Sequence, residues 1–233
     1  MRKLYGIGVG PGDSELLTLK AYKILKEVDM IVAPRSSEKK RSLALLTIRK
    51  FIEERENKPT IVEPVFLMTK NEKELEFYWE KAREEVLENV RGCETIAFIT
   101  LGDPSLYSTF YKFLDFFKDF VDEVEVIPGV TSFSACSSIA KVPIAEGNEI
   151  VSIVPEVNDK SAKVIGKSDT VVFLKPKNIE QIKKQVGDGS AILGIKIGFK
   201  DQELVLGNFK EIEVPNHYLV TLILKKKAEK EEE

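Results

Sequence analysis

Three times along this 233-residue chain, an apolar β-branched run ends in a glycine- and proline-rich turn that feeds a helical pattern. First, the strand Leu4–Val9 runs into GIGVGPGD, residues 6–13, ahead of a helical pattern over Ser14–Lys26. There Leu16, Leu17, Leu19, Ile24 and Leu25 are available for burial, and Asp13 or Ser14 can cap the helix. Second, the wholly apolar run Thr95–Thr100 ends in LGDPSLYSTF, residues 101–110. Third, Val124–Ile127 leads into IPGVTSFSACSSIA, residues 127–140. Continuous apolar strands alternating with helices predict a parallel sheet with helices on both faces. Open α/β sheets bind ligands at the carboxyl ends of their strands, where these three turns would gather.

The remaining first-half elements fit that scheme. Met30–Ala33 reads as a second strand, Ser42–Phe51 as a helix and Thr60–Pro64 as extended chain. Glu72–Val90 is the clearest helix, with Leu75, Trp79, Ala82 and Val86 at helical spacing. From residue 150 the strands crowd together as VSIVP, TVVFLK, AILGIKIG, ELVLG and HYLVTLIL. Only short helices intervene, around Asp159–Ile165 and Asn178–Gln185, which predicts an α+β domain with a mixed sheet. The expected organisation is a domain at residues 1–117, a second at 118–226, and a charged tail at 227–233. A cleft between two such domains is the default ligand site.

Composition removes several function classes. The chain carries 35 basic and 38 acidic residues, a formal net charge of −3, so nothing drives it globally toward nucleic acid. With two cysteines and one histidine, neither a disulfide framework nor a metal-ligand spacing is present. Cys93 and Cys136 read as buried, reduced thiols of a cytoplasmic protein. MRKLYGIGVG lacks the apolar run of a signal peptide, and no stretch approaches the roughly 18 apolar residues that span a bilayer.

The glycine loop resembles a dinucleotide fingerprint only in part. Gly6 and Gly8 occupy its first two positions, but the third falls on Pro11, which has no N–H and brings a ring where the motif needs open surface. The second strand ends in Ala33 and Pro34, with no acidic residue placed for a ribose. No Gly-Lys-Ser/Thr follows, so a phosphate-binding P-loop is excluded as well. A sharp ligand-free βα turn stays open for this loop taken alone. The run of small and hydroxyl residues after Pro128 lets a ligand approach the backbone of the third loop.

Together, GIGVGPGDSELLTLKA, LGDPSLYST and IPGVTSFSA resemble the signature loops of the tetrapyrrole methylases, over nearly the whole chain to about residue 224. VAPRSSEKKRSLAL, EPVFLMTKNEKELEFYWEKA and VPIAEGNEIVSIVP are similar to the members that methylate C20 of the macrocycle in cobalamin synthesis. Leu67 stands where that subgroup has proline, and Lys196 where arginine is commoner. The resemblance implies a two-domain fold, a homodimer, S-adenosylmethionine as methyl donor without a protein-bound metal, and precorrin-2 or cobalt-factor II as substrate. Family positions for the donor carry over onto Pro11, Gly102, Asp103, Leu106, Thr131, Ser132 and Leu174, with much of that site in the second domain. The tetrapyrrole would lie toward the first domain, near Gly10, Gly12 and Arg35.

In-line methyl transfer needs positioning more than acid–base machinery. Tyr107 is the candidate for orienting the substrate, and it reads equally well as a tyrosine packed at an interface. Substrate carboxylates call for cations, and PRSSEKKR supplies Arg35, Lys39, Lys40 and Arg41, with Arg35 nearest the strand end. Three rival functions remain open to this sequence. They are methylation of another carbon, tetrapyrrole binding without catalysis, and a nucleotide-dependent oxidoreductase, which Pro11 disfavours.

Overall fold

The structure, a computed structural model, describes residues 1–67, 71–177, 182–184, 189–215 and 219–226. Its contacts divide into one unit over Met1–Thr131 and a second from Ser132 onward.

The first unit runs β1 (Lys3–Gly8), α1 (Leu19–Leu25), β2 (Met30–Val32), α2 (Leu43–Glu53) and β3 (Thr60–Val62). It continues through α3 (Glu72–Asn89), β4 (Thr95–Thr100), α4 (Phe110–Phe117) and β5 (Glu123–Ile127). The five strands form one parallel sheet in the order β3-β2-β4-β1-β5. Right-handed crossovers in opposite directions put α1 and α2 on one face and α3 and α4 on the other. The core divides accordingly. Ala21, Leu25, Ala44 and Ile48 pack on Ile7, Ile31 and Ile99. Trp79, Val86, Phe110 and Phe113 pack on Leu4, Met30 and Phe98.

Two local expectations change. The pattern over Ser14–Lys26 is not one helix: Asp13 caps a short 3-10 turn at Ser14–Leu16, and the chain extends at Leu17 (ψ 136°). The helix begins afterwards, where the Thr18 hydroxyl accepts the Ala21 N–H at 3.2 Å. The domain division also falls later than residue 117. β5 pairs in parallel with β1 from Lys3↔Glu123 to Ile7↔Ile127, so the third glycine-bearing turn belongs to the first unit.

The second unit contains α5 (Ser132–Ala140), β6 (Val151–Val154), α6 (Asp159–Ile165), β7 (Thr170–Phe173), β8 (Gly189–Ile195), β9 (Glu203–Asn208) and β10 (Val220–Lys226). Its sheet is mixed, in the order β6-β7-β10-β8-β9; β6 and β7 are parallel and the other neighbours antiparallel. One sheet face buries Phe173, Leu193, Leu222 and Leu224 with Ile165, Phe209 and Ile212. On α5, Cys136 is buried so close to β8 that a Cβ on Gly194 would stand 2.7 Å from its Sγ. The helix expected over Asn178–Gln185 is described only at 182–184, which are helical, and the tail at 227–233 lies outside the described residues.

Candidate functional site

The order β4-β1-β5 sets the three glycine turns side by side at the carboxyl edge of the first sheet. Their glycines interlock. A Cβ on Gly8 would stand 2.4 Å from the Gly102 carbonyl oxygen and 2.7 Å from the Gly129 nitrogen. A Cβ on Gly129 would stand 2.1 Å from that same Gly102 oxygen. Any side chain at Gly8 or Gly129 would therefore force the loops apart. Beyond the parallel strands, Val9 N–H donates to Thr100 O (2.9 Å) and Gly102 N–H to Gly10 O (2.8 Å), an antiparallel bridge between the two loops. That reversal uses positive φ at Gly10 (78°) and Gly102 (68°), a region glycine enters without steric cost. Gly6, the first residue of the apparent dinucleotide fingerprint, serves packing instead, because the Phe110 ring fills its Cβ position at 2.4 Å.

Asp103 fastens the second loop to the third. Its Oδ1 accepts the Ser105 N–H at 2.7 Å and also the Ser105 hydroxyl, while Oδ2 accepts the Gly129 N–H at 3.0 Å. It is not a helix cap, because α4 starts only at Phe110, whose N–H bonds the Ser108 hydroxyl at 3.0 Å. Leu106 is half-buried and its N–H reaches the Asp103 carbonyl at 3.3 Å. Tyr107 follows at φ 52° with its side chain 55% exposed, an unusual backbone for a bulky residue. Pro11 is buried, and Gly12 holds φ 149°.

Arg35 extends β2 by an isolated parallel bridge to Val65, with its N–H on Pro64 O (3.0 Å) and its carbonyl accepting from Phe66 N–H (3.0 Å). Its guanidinium donates to the carbonyls of Glu63 (2.6 Å) and Glu38 (3.0 Å). Much of its donor capacity is thus committed to holding its own loop. Lys39, Lys40 and Arg41 are exposed beside it.

Thr131 is half-buried at the end of the first unit. Within the second unit, the Ser132 hydroxyl pairs with the Thr221 hydroxyl of β10 at 2.8 Å. Leu174 is half-buried just past β7, its N–H 3.4 Å from Val154 O. Burial, then the neighbouring Lys177 charge, pushes the next residue, Lys175, below the usual lysine range, and Glu156 opposes the shift. The bonds that join Asp103 to Gly129 and to Ser105 have no local pattern in the sequence to announce them. Their only trace is a glycine or hydroxyl residue in the loop that follows each strand. Among the described residues, no group of three or more His, Cys, Asp or Glu stands together as a metal site, and no helix is long and apolar enough to cross a membrane.

The sequence profile of the Tetrapyrrole (Corrin/Porphyrin) Methylases matches residues 3–213. The chain is 36% identical over 231 residues to the Probable cobalt-precorrin-2 C(20)-methyltransferase of Methanocaldococcus jannaschii, covering 97% of each. The putative cobalamin synthesis related protein (CobF) from Corynebacterium diphtheriae superposes with a TM-score of 0.76 at 21% identity, over 98% of this chain and all (100%) of that one. Uroporphyrin-III C-methyl transferase from Thermus thermophilus, complexed with S-adenyl homocysteine, superposes at 0.68 and 21% identity, over 96% and 97%. At such identities the superpositions speak for the fold.

Proposed function

The chain belongs to the tetrapyrrole (corrin/porphyrin) methylase family, and from that premise we propose that it transfers a methyl group from S-adenosylmethionine to C20 of precorrin-2, or of its cobalt form, cobalt-precorrin-2 or the oxidised cobalt-factor II, in cobalamin synthesis. One observation carries the substrate and position: the full-length match, at 36% identity, to a relative bearing that activity in its name. Cobalt, where present, is part of the substrate.

The residues at the sheet edge suit such a donor. Beyond its own chain neighbours, nothing lies within 4 Å of the Cβ position of Gly102, so that loop offers bare backbone to a ligand. Pro11 has no N–H to give a phosphate, which agrees with a donor that carries a sulfonium and no pyrophosphate. We assign Pro11, Gly102, Asp103, Leu106, Thr131, Ser132 and Leu174 to the donor's surroundings, and Gly10, Gly12, Arg35 and Tyr107 to the tetrapyrrole's.

When bound, S-adenosylmethionine supplies an electrophilic methyl group to a carbon nucleophile. The chain's own contribution is to hold the two partners in line and keep water out, an effect worth about 7–11 kcal/mol of barrier at best. Leu106 gives apolar surface beside the second glycine loop, and the backbone of the glycine loops gives a surface without mobile side chains. The exposed Tyr107 ring orients the macrocycle. Arg35 holds the loop whose cations face the substrate carboxylates.

Turnover of precorrin-2 against cobalt-factor II under anaerobic conditions tests the reading. A mass gain of one methyl, placed at C20 by NMR, is expected. Methylation at another carbon would move the protein to a different member of the family, and donor binding without turnover would favour a binding protein on the same fold. A homodimer in the cytoplasm accompanies this proposal, and light scattering at twice the chain mass would support the dimer.

A further inference from the structure

We propose that Asp103 and Ser105 form a positioning clamp. It sets the spacing between the β4 and β5 loops, and so shapes the surface offered to the methyl donor without a side-chain contact to it. The inference rests on the functional reading above.

An ionised carboxylate has about four acceptor positions. Three on Asp103 are already taken inside the first unit: the Ser105 N–H and hydroxyl on Oδ1, and the Gly129 N–H on Oδ2. Bonds to a charged acceptor are the stronger kind, and here one of them crosses from the β4 loop to the β5 loop. The remaining geometry makes that crossing directional. Gly129 is wedged against the Gly102 carbonyl and against Gly8, so its position is fixed by steric contact with two loops. The carboxylate supplies the attraction and the three glycines set the closest approach. Ser105 is exposed, and its two bonds hold the carboxylate in the rotamer that reaches Gly129. Asp103 therefore acts on the donor through Gly129 and the backbone of residues 129–131, and Ser105 acts through Asp103.

Three variants, Asp103→Ala, Asp103→Asn and Ser105→Ala, test this with two independent readouts. One is hydrogen exchange of the Gly129 amide by NMR in the ligand-free chain. The other is S-adenosylhomocysteine affinity by calorimetry, with KM for the donor and kcat measured alongside. Asp103→Ala should deprotect the Gly129 amide and weaken binding about tenfold. KM should rise more than kcat falls. Ser105→Ala should weaken binding about threefold, with partial deprotection of the same amide. Asp103→Asn keeps an oxygen for Gly129 and should fall between the two on both readouts.

Gly129 exchange as slow in Asp103→Ala as in the wild type would overturn the clamp. So would an Asp103→Asn variant that binds as poorly as Asp103→Ala while Gly129 stays protected, because that pattern marks a direct charged contact. If Asp103→Ala does not fold, the other two variants carry both readouts. If the wild-type chain binds no S-adenosylhomocysteine, the functional reading fails and the positioning role with it, while the Gly129 amide still reports whether the clamp exists.

Discussion

Tyr107 adopts φ 52°, where an L side chain costs roughly 1–2 kcal/mol, in the same loop as Gly102, which bears its positive φ freely. Two substitutions separate its backbone from its ring. Tyr107→Ala and Tyr107→Gly lose the ring alike, so both should reduce turnover by the same factor. The glycine variant should be the more stable by about 1 kcal/mol in urea unfolding. A turnover difference between them would instead implicate the backbone itself. Gly129 carries the opposite constraint, of space rather than dihedral. Gly129→Ala places a methyl 2.1 Å from the Gly102 oxygen and should cost about 1–3 kcal/mol, with weaker donor binding. Gly166 has open space around its Cβ position and φ −59°, so Gly166→Ala is the control that should be neutral or slightly stabilising. Sequence marked the glycines as a class; it could not say which one faces open space, which a phenylalanine ring and which another glycine.

At the scale of elements, α4 shows how packing fixes the site. Its FYKFLDFF sequence buries Phe110, Phe113 and Phe117 against the sheet. Phe113 lies 4.5 Å, ring centre to ring centre, from Phe98 of β4, and 4.2 Å from Phe117. Because Phe110 also fills the space left by Gly6 in β1, the helix that follows the second glycine loop is seated directly on the strand that precedes the first. Phe113→Ala should therefore lower stability by about 3–5 kcal/mol in urea unfolding. The 3.6-residue period of α3 and the apolar run of β4 were legible, and both elements form where expected. The helix over Ser14–Lys26 was not, because its apolar residues suit a helix throughout while Leu17 turns extended to let Thr18 cap α1.

For the whole molecule, the two free thiols are a convenient reporter, since each is buried in a different unit. Burial pushes Cys136 up to about 12, and it also raises Cys93. A thiol whose folded value is raised contributes stability that is fully present below its unfolded value, near 9, and is lost as pH rises toward the folded one. The urea midpoint should thus decline between about pH 9 and 12. Cys136→Ala should flatten that decline while lowering stability at pH 7, and neither thiol should react with Ellman's reagent in the native state. A midpoint flat across this range would show that the thiols ionise freely when folded. Strand and helix alternation, the parallel first sheet, the mixed second sheet and the family were all written in the sequence, because apolar periodicity and turn chemistry are local. Strand order was not, since pairing between β1 and β5 joins residues 120 apart, Lys3 to Glu123, and no local pattern encodes it. Only the tertiary structure, by placing β1 between β4 and β5, decided that three separate glycine turns are one interlocked surface, and that the Asp103 carboxylate is largely committed to holding it together.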